Sequence, residues 1–215
     1  MTRKAGGVGT ATRSYHHGYL KAALIAAAGE MLERDGPEAI SFRAVARAAG
    51  VSQTAPYNHF RGKEDLLATL AEAGFRELEA SQLATMGATV PGLERVIRLG
   101  LDYVRFASTR PQSYRLMFGV GVSDWRGHQD VAEAKNASFR PIKDALAEYL
   151  SSDMTPEAVE IAAIAAWAQV HGLSMLLMDG SLGAARRGHD GGEALVRQVL
   201  TQFAAGLVPG AKWPT

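Results

Sequence analysis

A chain of 215 residues with 47% hydrophobic content is too long for one small module and suffices for one sizeable domain or two smaller ones. It has no cysteine, which excludes disulfides, thiol catalysis and cysteine-based zinc sites. The net charge of +1 conceals an asymmetry: residues 1–63 carry nine Lys/Arg against four Asp/Glu, and residues 64–215 fourteen against eighteen. A basic first third before a mildly acidic remainder suits a nucleic-acid-contacting segment joined to a different kind of body.

Residues 1–14 are Gly-, Thr- and Arg-rich without periodicity and read as a mobile basic arm, in which no signal peptide is seen. Leu20, Ala23, Leu24, Ala27, Ala28, Met31 and Leu32 then recur at three and four residues, predicting a helix over about 17–34 that Gly36-Pro37 ends. Ser41 is a good N-cap for a second helix bearing Phe42, Val45, Ala46 and Ala49, and Gly50 stands where the chain leaves it. Ser52 is expected to cap a third, shorter helix carrying Gln53, Thr54, Ala55, Tyr57 and Asn58. Pro56 inside that helix forfeits a backbone bond unless it lies in the first turn, which limits how much of it is regular. Two short helices around a Gly turn make a helix-turn-helix. A longer helix follows from Lys63 to about Met86, with Glu64 and Asp65 in its first turn.

The stretch from Ile40 to Leu67 also resembles the DNA-binding region of the tetracycline-repressor family of bacterial transcription regulators. Ser41-Phe42-Arg43, Ala46, Ala49-Gly50-Val51-Ser52, Tyr57, His59-Phe60 and Gly62-Lys63-Glu64-Asp65-Leu66-Leu67 carry the likeness. By position in that motif, Ser52, Gln53, Thr54 and Ala55 begin the exposed reading helix. Gln53 suits adenine, and Ala55 or the Thr54 methyl suits a thymine methyl. Arg43 can reach a guanine or a phosphate; Tyr57, His59 and Lys63 match backbone-contacting positions, and Asn58 is open between the two roles. The residue-level alternatives are that Tyr57 only packs and His59 only caps.

The remainder stays helical: about Leu93–Ser108, Pro111–Phe118, His128–Leu150 with Pro141 bending or splitting it, a segment capped at Thr155-Pro156-Glu157 and running to Asp179, and Glu193–Leu207. Ile161–Met178 holds eighteen uncharged residues, but five alanines and Gln169, His171, Gly172 and Ser174 favour a buried bundle helix over a membrane span. The last two helices offer a self-complementary apolar surface for a homodimer, the arrangement the resemblance also implies. Trp167 and His171 lie one turn apart before Gly172, similar to a Trp-x-x-x-His-Gly signature in one branch of the family's C-terminal domains. They are candidate ligand-pocket residues with Tyr103, Phe106, Tyr114 and Phe118; Met117, Trp125 and Phe139 are further candidates, and plain core packing is the competing account.

No HExxH, GxSxG or P-loop pattern occurs, so no catalytic residue, metal or cofactor is expected. The reading is an all-α chain of about nine helices: an arm (1–14), a three-helix DNA-binding domain (15–62) and a ligand-binding, dimerising domain (63–215). It implies a cytoplasmic, homodimeric regulator, a repressor of a palindromic operator on double-stranded DNA released by a small-molecule inducer. The alternatives are a constitutive architectural DNA-binding protein, and a small-molecule binding protein or enzyme with a vestigial helix-turn-helix.

Overall fold

A computed structural model describes residues 11–119, 125, 127–150, 154–183 and 192–207, with the backbone alone for 11–18. Among them are eight α-helices, two 3-10 turns and no strand: α1 Ala11–Asp35, α2 Phe42–Ala48, α3 Lys63–Ala88, α4 Leu93–Thr109, α5 Pro111–Met117, α6 Gln129–Tyr149, α7 Pro156–Met178 and α8 Glu193–Gly206. Helix α1 begins at Ala11 rather than near His17, so residues 11–14, expected in the arm, are helical; residues 1–10 lie outside the described residues.

Local signals set most of these ends. The Ser41 hydroxyl accepts from Ala44 N–H at 3.2 Å, and Thr155 accepts from Ala158 N–H at 3.2 Å. Gly50 takes φ 67° after α2, a left-handed conformation that glycine adopts without steric cost. Pro141 neither splits nor ends its helix, because α6 runs unbroken from Gln129 to Tyr149 with the ring buried.

The expected third helix is instead a single 3-10 turn, Ala55–Asn58. An α-helix capped by Ser52 would need the Pro56 N–H to bond the Ser52 carbonyl, and proline has none. The Ala55 N–H takes that carbonyl at 3.0 Å, which tightens the turn. Ser52 does not act as the cap; its hydroxyl lies 3.1 Å from that of Thr54.

The head closes around Leu24, Ala28 and Leu32 of α1, Val45 of α2, and Leu66 and Leu70 of α3. Helix α3 leaves the head and packs along α6, with α4 behind it. The Arg140–Glu79 ion pair at 3.4 Å, together with Asp65 and Glu72 beside the His128–Val131 segment, sets α3 and α6 running in the same direction. Head and body also meet through Glu33, whose carboxylate accepts from the Gln112 and Ser113 N–H groups at 3.2 and 2.9 Å and so caps α5. Replacing Glu33 by Ala leaves those two donors without this acceptor, and a thermal melt should show a loss of about 1 kcal/mol.

Helix α7 is long and apolar enough to cross a membrane by length and composition alone. Its Val159, Ala163, Ala166, Val170, Leu173 and Leu177 are buried within the chain. Helix α8 turns Val196, Leu200 and Ala204 inward, and its main neighbour is α4. Gly100 permits this approach, since a Cβ there would meet the Leu200 methyl at 2.7 Å.

Candidate functional site

The basic end of the head presents a compact polar face. Arg43, Ser52, Gln53, Thr54, Tyr57, Asn58 and Lys63 are exposed and His59 is half-buried. Tyr57 is 70% exposed while one ring edge rests on Phe42, centroids 4.9 Å apart, so packing orients the ring without consuming it. Lys63 lies at the start of α3, 3.8 Å from a Glu38 carboxylate oxygen, in a pair mostly open to solvent. Asp65 accepts from the Arg61 N–H at 2.9 Å, which holds its carboxyl below the usual range and fixes the turn before α3. Ala55 departs from expectation. It is 5% exposed, facing inward with Pro56, so its methyl is not on the reading surface.

In the body, a cavity of about 230 Å³ lies among α3, α4, α6, α7 and α8, lined chiefly by apolar side chains such as Phe75, Leu78, Ile142 and Phe203. A more open cavity of about 730 Å³ adjoins it, and the two share Phe118, Lys135 and Trp167 as lining residues. Of the sequence candidates, Tyr103 lines the first cavity, His171 the second, and Phe118 and Trp167 both. Met117 and Trp125 line the second cavity and Phe139 the first. Phe106 lines neither; it is buried in the main core, one turn along α4 beyond Tyr103, the last residue of that helix to reach the cavity. Tyr114 also lines neither and acts from behind through its hydroxyl.

Four of these residues share one hydrogen-bond chain. Trp167 Nε1–H donates to the Tyr103 oxygen at 3.2 Å; the two tyrosine oxygens are 3.2 Å apart; the Tyr114 oxygen lies 2.6 Å from His171 Nδ1. Indole nitrogen can only donate, so Trp167 is the donor at one end; from the Tyr103 oxygen onward each hydroxyl can donate or accept, and the direction follows the imidazole tautomer. Tyr103 Oη is also 3.1 Å from Nδ1. Burial pushes the Tyr114 hydroxyl up to about 12, and Tyr103 is raised further by the same cause. His171 is lowered from its ordinary value, first by burial and then by the charge of Lys135. A His171 that stays neutral in the fold while the unfolded chain protonates makes native stability fall as pH drops through the imidazole range. Above about pH 6.5 the effect vanishes. Denaturant titrations between pH 7.5 and 5.5 should show this slope shrinking in His171→Gln.

Among the cavity residues that sequence reading passed over are Gln82 and Lys135. Gln82 had a signal: with Phe75 and Leu78 it continues an apolar stripe of α3, so a polar residue falls on the buried face. Lys135, on an exposed turn of α6, had none. Its ammonium sits 5.8 Å from the Trp167 ring centroid, and no carboxylate among the described residues pairs with it. Among the described residues, no group of three or more His, Asp or Glu is placed to hold a metal.

Comparison with known proteins gives two family matches: "Bacterial regulatory proteins, tetR family" over residues 24–70, and "Tetracyclin repressor-like, C-terminal domain" over residues 96–203. No curated protein matches the chain. Among solved structures, a protein of unknown function from Rhodococcus sp. RHA1 is 32% identical, with 92% of this chain and 98% of that one covered at a TM-score of 0.77. The transcriptional regulator FadR from Bacillus subtilis, in complex with stearoyl-CoA, is 15% identical at a TM-score of 0.65, covering 86% and 98%. The TetR family regulator PfmR from Thermus thermophilus is 16% identical at a TM-score of 0.59, covering 84% and 96%.

Proposed function

This chain belongs to the tetracycline-repressor family and is a DNA-binding transcriptional regulator, and from that premise we propose that it is a homodimeric repressor released by a small molecule. The observation that carries the reading is the single helix α3, which has the polar face of the head at one end and the wall of an apolar cavity along its length. Gln53 and Thr54, with Arg43 beside them, read base edges in the major groove; Tyr57, His59 and Lys63 hold the phosphate backbone, and Asn58 borders both sets. A ligand filling the cavities favours one position of α3 against α6. That changes the separation of the two reading turns, which must match half-sites about 34 Å apart or a multiple of it.

Dimerisation uses α7. Ile161, Ile164, Ala168, Gly172 and Leu176 follow at helical spacing on one exposed face, with both isoleucines close to half exposed or more. The α8 stripe is largely spent on α4 within the chain, so α7 leads the interface and α8 flanks it. The protein works in the cytoplasm, without catalysis. The fold likeness to FadR carries the architecture and does not choose the ligand.

Footprinting over the gene's own promoter, with a gel-shift titration, tests the reading. A regulator protects a discrete palindrome and a genuine inducer lowers its affinity for that site. Diffuse protection without sequence preference supports an architectural protein instead, and an inducer that binds without changing operator affinity defeats the release mechanism.

A further inference from the structure

The smaller cavity contains a hydrogen-bonding group that the protein leaves unused. Gln82 lines this cavity and is 3% exposed, and its buried Oε1 has no hydrogen-bond partner among the described residues. The other polar lining groups are engaged or solvated: Ser138 Oγ donates to the Lys135 carbonyl at 2.8 Å, Tyr103 belongs to the tyrosine–imidazole chain, and Asn136 is exposed. A buried amide oxygen without a donor is costly to the fold. Such a group gains when a ligand brings the missing donor into the same dry space.

The charge around it narrows the ligand. Among the described residues, the only charged side chain lining this cavity is Lys135, and it lies at the other end. The Arg140–Glu79 pair puts Lys135 level with Phe75, and Gln82 is seven residues further along α3, about 10 Å at 1.5 Å per residue. An anionic group beside Gln82 would be a buried charge facing an acceptor oxygen, with no cation but the distant Lys135 among the described lining residues. A hydrocarbon would leave the oxygen as it is. An uncharged hydroxyl or N–H satisfies it.

Resting on the ligand-released reading above, we propose that Gln82 selects the inducer. The inner cavity takes a compact apolar molecule, and the hydroxyl or N–H at its buried end donates to Gln82 Oε1. Gln82 is therefore a specificity-determining residue, and the aromatic partition of Phe118 and Trp167 encloses the apolar body.

Calorimetry on the full-length protein with a matched series tests this: toluene, benzyl alcohol and benzoate, then naphthalene, 2-naphthol and 2-naphthoate. Wild type should bind each alcohol several-fold to about tenfold more tightly than its hydrocarbon and reject the acids, the effect of one buried hydrogen bond. Gln82→Met, close in shape, should erase that preference while leaving hydrocarbon binding unchanged. It should also raise the ligand-free melting temperature by about 2–4 °C, since the unmet acceptor is gone; Gln82→Leu serves as a second variant should Met pack poorly. Equal affinity for alcohol and hydrocarbon, an alcohol preference that survives both variants, or no binding by any member overturns the proposal. These measurements need no DNA. A protein that holds its operator but fails the series loses only this inference, whereas one that passes without operator binding loses the repressor reading.

Discussion

Tyr57→Ala combined with Lys63→Ala should lower operator affinity on the order of 100-fold at physiological salt while the protein stays folded. Each lysine–phosphate contact releases condensed counterions, which at 0.15 M salt contributes roughly fivefold per contact. A dimer loses two such contacts, with the tyrosine hydrogen bonds in addition. The slope of log affinity against log salt should therefore fall by about 2. The fold survives because Tyr57 is 70% exposed and the Lys63–Glu38 pair is largely solvated, so neither removes core packing. Gln53→Ala behaves differently. It should cost about 1–3 kcal/mol on the preferred operator and relax the preference at one base pair, with the salt slope unchanged. Fluorescence anisotropy against operator and scrambled duplexes at four salt concentrations separates the two patterns. A uniform loss from Gln53→Ala on both duplexes would remove it from base reading.

Charging the exposed face of α7 should have an equally large effect by another route. Ile161→Asp with Ile164→Asp puts two carboxylates per chain into the face assigned to self-association, four across a two-fold axis. Both side chains already stand 62% and 49% exposed in the single chain, so the folded protomer should be little disturbed. Sedimentation should show monomers. Operator affinity should drop at least about 100-fold, because the second half-site is no longer bound intramolecularly. A variant that remains dimeric places the interface elsewhere; a monomer that keeps full operator affinity shows that two half-sites are not read together.

The two predictions draw on different levels of legibility. Helix ends were readable because their signals act over four residues or fewer. The Ser41 and Thr155 caps, the left-handed Gly50 and the prolines opening α5 and α7 each do in the fold what their local chemistry dictates. Pro56 was legible in kind, as a proline that limits regularity, though not in extent. Losing the one N–H that would close the first α-turn on Ser52 reduces the whole element to a 3-10 turn and tucks Ala55 inward. Spacing alone put Ala55 and Thr54 on the same footing; only the packing against the head core separates them.

For the body, sequence by itself determined that its elements are helices, where most of them start and stop, and that α7 carries a long uncharged run. It also placed Trp167 and His171 on one face. Tertiary structure decided what those residues do: the hydrogen-bond chain that joins the indole and the imidazole needs Tyr103 and Tyr114 from α4 and α5, more than fifty residues away in sequence. It likewise decided that Phe106 is core, that α8 spends its apolar stripe inside the chain, and that Gln82 faces a cavity. Periodicity reports that a residue lies on the buried side of its own helix. Whether that side meets a partner, a neighbouring chain or a cavity depends on side chains brought together from five helices, and no window of sequence contains them all.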